Sequence, residues 1–254
     1  MQSTQPRINE PAQAANVVSA RAETNPGYHA GNAAARPDLY LFVHKGLRAF
    51  LSDTLHRCGR MDPSDDGDVS ETLAQVRGLV EICHGHLRKE EDYMHPALEA
   101  RRPGAARRTM DDHAGHLRAF EDIEAGVRAV EQAHGAARGA AARQLYRHFA
   151  LFVAENFEHM HVEETANNEI LWATYTDAEL LALQKQIIGS IPPAEMQAVL
   201  RWMIPAMAPA ERAQMLGGIK QNAPGEVFTR ILAGLKPHLA EHDWTKLMAA
   251  LAGL

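Results

Sequence analysis

Apolar residues recur at steps of three and four along most of the chain from Asp38 onward, which is the spacing of one face of an α-helix. The pattern predicts four long helices, separated by the turn-rich segment MDPSDDGD and by a break at Arg102-Pro103-Gly104. No alternating run typical of a β-strand interrupts them. The predicted fold class is therefore all-α, with an antiparallel up-down four-helix bundle over residues 37–175. The predicted helices run from Asp38, from about Val69 to Leu98, from the break to about Ala133, and from about Ala140 to Trp172.

The two flanks of the predicted bundle differ from it in texture. Residues 1–36 are rich in Ala, Asn, Gln and Pro without sustained apolar periodicity, which predicts a flexible N-terminal arm. Residues 176–254 are divided by prolines into short apolar segments. Proline is tolerated in the first turn of a helix, so this part is predicted to be an additional C-terminal subdomain of short helices.

Composition narrows the class of protein. With 254 residues, 46% of them hydrophobic and 23% charged, the chain can bury a substantial core. A formal net charge of −6 argues against a nucleic-acid surface, and no apolar stretch approaches the ~20 residues of a membrane span. The N-terminal residues lack the pattern of a secretory signal. Cys58 and Cys83 are far apart in sequence, which favours reduced thiols in a cytoplasmic protein.

Histidine is the unusual component, with fourteen in the chain and most of them between positions 44 and 161. The motif HxxxEE occurs twice, once in the second predicted helix and once in the fourth. Its histidine and first glutamate lie four residues apart, so both face the same side of their helix. The first and third helices each carry an inward histidine near their start. In an up-down bundle all six groups reach a similar depth: His44, His86, Glu90, His113, His159 and Glu163.

Such a cluster predicts a metal site. Buried carboxylates cost several kcal/mol each unless they are paired, and no Lys or Arg shares these inward faces. Imidazole and carboxylate without thiolate suit iron, manganese or zinc. Two carboxylates able to bridge favour a two-metal site between facing helices, because a tetrahedral zinc would leave two buried groups unused.

The order H…HxxxE…H…HxxxE and the segment HLRKEEDYMHP resemble the hemerythrin-like (HHE cation-binding) family, over about Tyr40 to Trp172. The resemblance implies two non-haem iron ions bridged by carboxylate, held by the six residues named above. Oxygen-carrying hemerythrins have a second histidine four residues after the third-helix ligand, where this chain has Leu117. His116 lies one residue earlier and is a candidate fifth nitrogen, and Glu164 is an alternative to Glu163.

The resemblance implies a protein that binds iron and reacts with or senses dioxygen or peroxide. The alternative is a di-iron oxidase or oxygenase acting on a small organic substrate, and no catalytic residue is predicted for either. The fourth helix leads residues 176–254 to the metal end of the bundle, so this segment is predicted to pack there and narrow access to the site. In a further alternative, the C-terminal helices of an iron sensor dock a partner protein.

Overall fold

The computed structural model describes residues 36–253, and within that range the regular structure is helical, with no strand. The all-α prediction is confirmed. Apart from Arg36, the predicted N-terminal arm lies outside the described residues. The helices of the predicted bundle region are α1 (Leu41–Arg60), α2 (Asp66–Lys89), α3 (His95–Arg101), α4 (Arg107–Gln132), α5 (Gly135–Val162) and α6 (Asn168–Thr174). A π-helical turn, Glu90–Met94, joins α2 to α3, and a second one, Glu163–Asn167, joins α5 to α6.

Acidic side chains organise the starts of these helices. The Asp38 carboxylate accepts the backbone N–H groups of Tyr40 and Leu41, both at 3.0 Å, so α1 begins three residues later than the sequence pattern suggests. Asp65 accepts the N–H groups of Gly67 and Asp68 at the start of α2. Such side chains satisfy amide donors that the first turn of a helix leaves unpaired.

The four long helices contact one another in a ring, in which α1 and α4 each pack against both α2 and α5. Arg57, near the end of α1, donates to Thr72, near the start of α2, at 3.1 Å. Gly126, late in α4, allows close approach of Leu145, early in α5, since an added Cβ would meet Leu145 Cδ1 at 3.1 Å. Neighbours of this kind run antiparallel, as in an up-down arrangement.

The third long helix turns a different face inward from the one predicted. Met110 and Leu117 were expected in the core, but they are 51% and 41% exposed. The buried line of α4 instead runs through Thr109, His113, His116, Phe120, Ile123, Val127 and Val130. At 100° per residue, position 116 falls on this line and position 117 lies about a quarter-turn away. The large apolar residues in the second half of α4 therefore decide which residue accompanies His113.

Residues 38–176 form one compact unit, and residues 177–253 belong to a second. The second contains α7 (Asp177–Ser190), α8 (Pro193–Ala206), α9 (Pro209–Asn222), α10 (Gly225–Leu235) and α11 (Glu241–Ala252). Pro193 and Pro209 open their helices, where the missing N–H is not needed. Arg212 is buried and donates to the carbonyl oxygens of Ile204 and Met207 at the end of α8. The predicted location of this segment at the metal end stays a prediction.

Between residues 36 and 253, none of the helices has both the length and the apolar character needed to cross a membrane.

Candidate metal centre

Glu90 and Glu163 each stand at the first position of a π-helical turn. Such turns are rare and occur frequently at functional sites. The sequence pattern did not predict them. Each glutamate keeps its i−4 histidine close: His86 Nε2 lies 3.0 Å from Glu90 Oε1, and His159 Nε2 lies 3.4 Å from Glu163 Oε2.

The histidines of α1 and α4 complete the cluster. His44 Nε2 lies 3.4 Å from Glu163 Oε2 and 3.9 Å from Glu90 Oε1, while His113 Nε2 lies 3.4 Å from Glu90 Oε2. The structure therefore brings all six predicted ligands together. Their ligating atoms form two groups, each within 4.8 Å: His44, His86, Glu90 and Glu163; and Glu90, His113, His159 and Glu163. Both groups contain both glutamates, and each takes its two imidazoles from one helical hairpin.

Three of the four histidines have a carboxylate at the nitrogen that faces away from the cluster. The distances from Nδ1 to the carboxylate oxygen are 3.0 Å for His44–Glu164, 3.4 Å for His113–Glu91 and 3.3 Å for His159–Asp112. A carboxylate at Nδ1 keeps the proton on that nitrogen, so the lone pair of Nε2 faces the cluster. Metal-binding histidines in proteins are oriented in this way.

The inner atoms of the cluster are acceptors without donors. Both carboxylate oxygens of Glu90 and of Glu163, and Nε2 of His113 and of His159, are buried and have no hydrogen-bond partner among the described residues. His44 Nε2 and His86 Nε2 lie only 3.2 Å apart. Buried acceptors that face one another are unfavourable unless a cation lies between them. The donor set therefore fits a metal, of the kind that imidazole and carboxylate prefer.

Burial sets the protonation of these groups in the metal-free chain. It raises the pKa of Glu163 well above its usual range, and the nearby Glu90 carboxylate raises it further, so a shared proton resides on Glu163. Burial also holds the pKa of His159 at about 3, which keeps this imidazole neutral with its lone pair free.

Glu164 and His116, the two alternative ligands, lie outside both groups. Glu164 faces the outer nitrogen of His44 and also accepts from Arg48, with Arg48 Nη2 at 2.9 Å. Burial alone would raise the pKa of Glu164, but the hydrogen bonds from His44 and Arg48 lower it to about 2. His116 is buried with its ring centroid 4.9 Å from that of His159, and its Nδ1 has no partner among the described residues.

The roles of Glu91 and Asp112 were missed by the sequence reasoning. A partial signal was present, because Glu91 is the second glutamate of the first HxxxEE motif and Asp112 directly precedes His113. A metal-binding histidine usually gives its other nitrogen to a carboxylate, so acidic residues next to predicted ligands were candidates for that role.

The family model of the hemerythrin HHE cation-binding domain matches residues 38–169, which is just over half of the 254 residues. No curated protein and no solved structure matches the chain. The matched range contains all six clustered residues and ends within the last helix that follows Glu163. The chain therefore belongs to the hemerythrin family of HHE cation-binding domains.

Proposed function

We propose that the bundle binds two iron ions through this cluster and that it reacts with or senses dioxygen or peroxide. The observation that carries the proposal is the sharing of Glu90 and Glu163 by both four-residue groups. Two carboxylates with two oxygens each can bridge a pair of ions, and each ion then has two imidazoles of its own. Iron is the metal that the HHE family and the His/Glu donor set support best.

The side chains of the chain would have distinct tasks. Glu90 and Glu163 hold the ions together, and His44, His86 and His113 contribute Nε2 lone pairs, as does His159. Glu91, Asp112 and Glu164 keep those lone pairs aimed inward. Iron bound here would supply a change of oxidation state and a coordination position for a small oxygen species.

Burial contributes to this function by excluding water. His44 and Glu163 are fully buried, and Glu90, His113 and His159 are at most 4% exposed. Water reaches such a centre slowly, which favours reversible or controlled reaction of a small molecule over uncontrolled hydrolysis and metal loss.

The alternative activity, oxidation of a small organic substrate, uses the same ligands and stays a prediction. The same experiment addresses both. Purified protein is assayed for metal by mass spectrometry, and its optical spectrum is followed while peroxide, dioxygen or candidate substrates are added. We expect two irons per chain and near-ultraviolet charge-transfer absorption that changes with peroxide or dioxygen. A single zinc per chain, or iron whose spectrum is indifferent to both oxidants, would contradict the proposal.

The chain offers a control for ligand specificity. His161 lies two residues after His159 but is exposed. His161→Ala is expected to keep the metal content of the unchanged protein, whereas His159→Ala is expected to lose iron.

A further inference from the structure

A second layer of buried polar side chains lies next to the cluster. Tyr40 lies one helical turn before His44, and Asn167 lies one turn after Glu163. Because α1 begins and the fourth long helix ends at the same end of the bundle, both residues lie beyond the ligands on the same side. Tyr40 is 1% exposed and Asn167 is 2% exposed.

Both side chains carry a hydrogen-bond donor that nothing in the described residues accepts. Tyr40 Oη and Asn167 Nδ2 are buried and have no hydrogen-bond partner there. The backbone holds Tyr40 in place without help from its hydroxyl, since its N–H donates to Asp38 and its carbonyl accepts from the N–H of His44 at 3.0 Å. Its ring centroid lies 5.2 Å from that of His44.

The phenol hydroxyl also lies within the electrostatic field of the cluster. Burial raises the pKa of Tyr40 well above its ordinary value, and the carboxylates of Glu163 and Glu90 raise it further. The Asn167 side chain opposes this effect, as expected of an amide beside the phenol oxygen. The hydroxyl therefore keeps its proton and remains a donor next to the carboxylates.

The corresponding positions of the other hairpin carry no such donors. Thr109 lies one turn before His113, but its hydroxyl donates to the carbonyl oxygen of Ala106 at 3.0 Å. Met94 lies one turn after Glu90 and has a thioether, which cannot donate. Free donors thus lie on the His44 side of the cluster and are absent from these positions on the His113 side.

We infer that Tyr40 and Asn167 donate hydrogen bonds to an exogenous ligand of the proposed iron centre, a water or a small anion, on the side where His44 binds. A buried donor without an acceptor is unfavourable, and a ligand with lone pairs at this place would satisfy both donors at once. The inference rests on the proposed metal centre. It makes Tyr40 and Asn167 positioning residues that determine on which side a small ligand binds.

Azide serves as the probe, because it is a small anion that accepts hydrogen bonds and its binding to iron is followed optically. Tyr40→Phe removes only the hydroxyl, and Asn167→Leu removes the amide. We expect either variant to keep its iron and to bind azide ~10-fold more weakly than the unchanged protein, which is the effect of losing about one hydrogen bond. The matched controls Thr109→Val and Met94→Leu should change the azide affinity by less than about twofold.

A second measurement uses the metal-free chain. If Tyr40 Oη has no structural partner, Tyr40→Phe should leave the melting temperature of the metal-free protein unchanged or raise it. A lower melting temperature together with an unchanged azide affinity would assign the hydroxyl to the fold and overturn the inference. Iron-loaded variants that bind azide as tightly as the unchanged protein would overturn it while leaving the proposed function intact. Unchanged protein that takes up no iron would overturn both.

Discussion

The two helical hairpins of the bundle contribute the same inner ligands but surround them differently. The first hairpin (α1 to α3) supplies His44, His86 and Glu90, and the second (α4 to α6) supplies His113, His159 and Glu163. The inner groups set the requirement for a cation, whereas the residues behind them differ in charge and polarity. The comparison teaches that two ions held by identical ligand sets need not be equivalent.

The group of the first hairpin is supported by one strong ionic contact. Glu164 lies 3.0 Å from the outer nitrogen of His44, and Arg48 holds that carboxylate in turn. In the second hairpin the residue equivalent to Arg48 is Leu117, which is exposed. Glu91, the counterpart of Glu164, is 44% exposed at its side chain and lies 3.4 Å from His113.

The group of the second hairpin is richer in imidazole. His95 and His116 are buried, with ring centroids 4.7 Å and 6.4 Å from that of His113. The equivalent residues around the first group are Asn168 and Leu47. Asp112 supports His159, whereas Val43 stands at the equivalent position before His44. The second group thus has reserve nitrogen donors, and the first has a more firmly oriented ligand.

The largest effect is expected from Glu90→Ala, which removes a carboxylate that both groups share. This variant should lose both ions, whichever hairpin holds its ion more tightly. The metal-to-protein ratio after reconstitution with ferrous iron and desalting measures it, with His161→Ala as the control. Two equivalents of metal retained by Glu90→Ala would exclude the bridging role.

The next effect separates the two groups. His44→Ala should retain about one ion per chain, because Leu47 cannot replace the lost nitrogen. His113→Ala should retain more metal than His44→Ala, since His116 can supply a nitrogen to the same ion. The double variant His113→Ala/His116→Ala should then fall to the level of His44→Ala. Equal metal content in the two single variants would show that the reserve imidazole has no role.

A smaller effect is expected from the outer carboxylates. Loss of such a partner typically weakens metal binding ~10- to 100-fold. Glu164→Gln should approach that range, because the Glu164 carboxylate is held close to His44 by Arg48. Glu91→Gln should cost less, because Glu91 is more exposed and lies farther from its histidine. Competition with a chromophoric chelator measures both affinities, and a larger loss in Glu91→Gln would reverse the comparison.

The smallest effect concerns folding of the metal-free chain. Arg48→Leu breaks a partly exposed ion pair and should lower the free energy of unfolding by at most about 1 kcal/mol. Leu117→Arg, the converse change at the equivalent exposed position, should alter it by no more than about 0.5 kcal/mol. Urea unfolding followed by circular dichroism measures both. A loss of several kcal/mol in Arg48→Leu would mean that Arg48 supports the core as well as Glu164.

Much of the fold could be predicted because helix formation depends on local spacing. The apolar period located all four long helices within a few residues. Their ends were less accurate, since they depend on particular caps such as Asp38. The inward face of α4 was wrong at Met110 and Leu117, because a helix can rotate by a fraction of a turn and still present apolar residues to its neighbours.

The sequence by itself determined which residues can act as inner ligands. An i, i+4 pair lies on one face of any helix, so His86 with Glu90, and His159 with Glu163, were specified by local geometry alone. The placement of His44 and His113 opposite those pairs followed from short connections between antiparallel helices. These features need only chain connectivity and the pitch of a helix.

Only the tertiary structure decided what stands behind and beside those ligands. The contacts of Glu91, Asp112 and Glu164 join different helices, and so does the approach of Tyr40 to Asn167. Each depends on the rotation and offset of one helix against another, which the packing of the whole core sets. The π-helical turns at Glu90 and Glu163 likewise belong to the packed bundle. A one-residue rotation would keep the HxxxE pairs and lose every one of these partners.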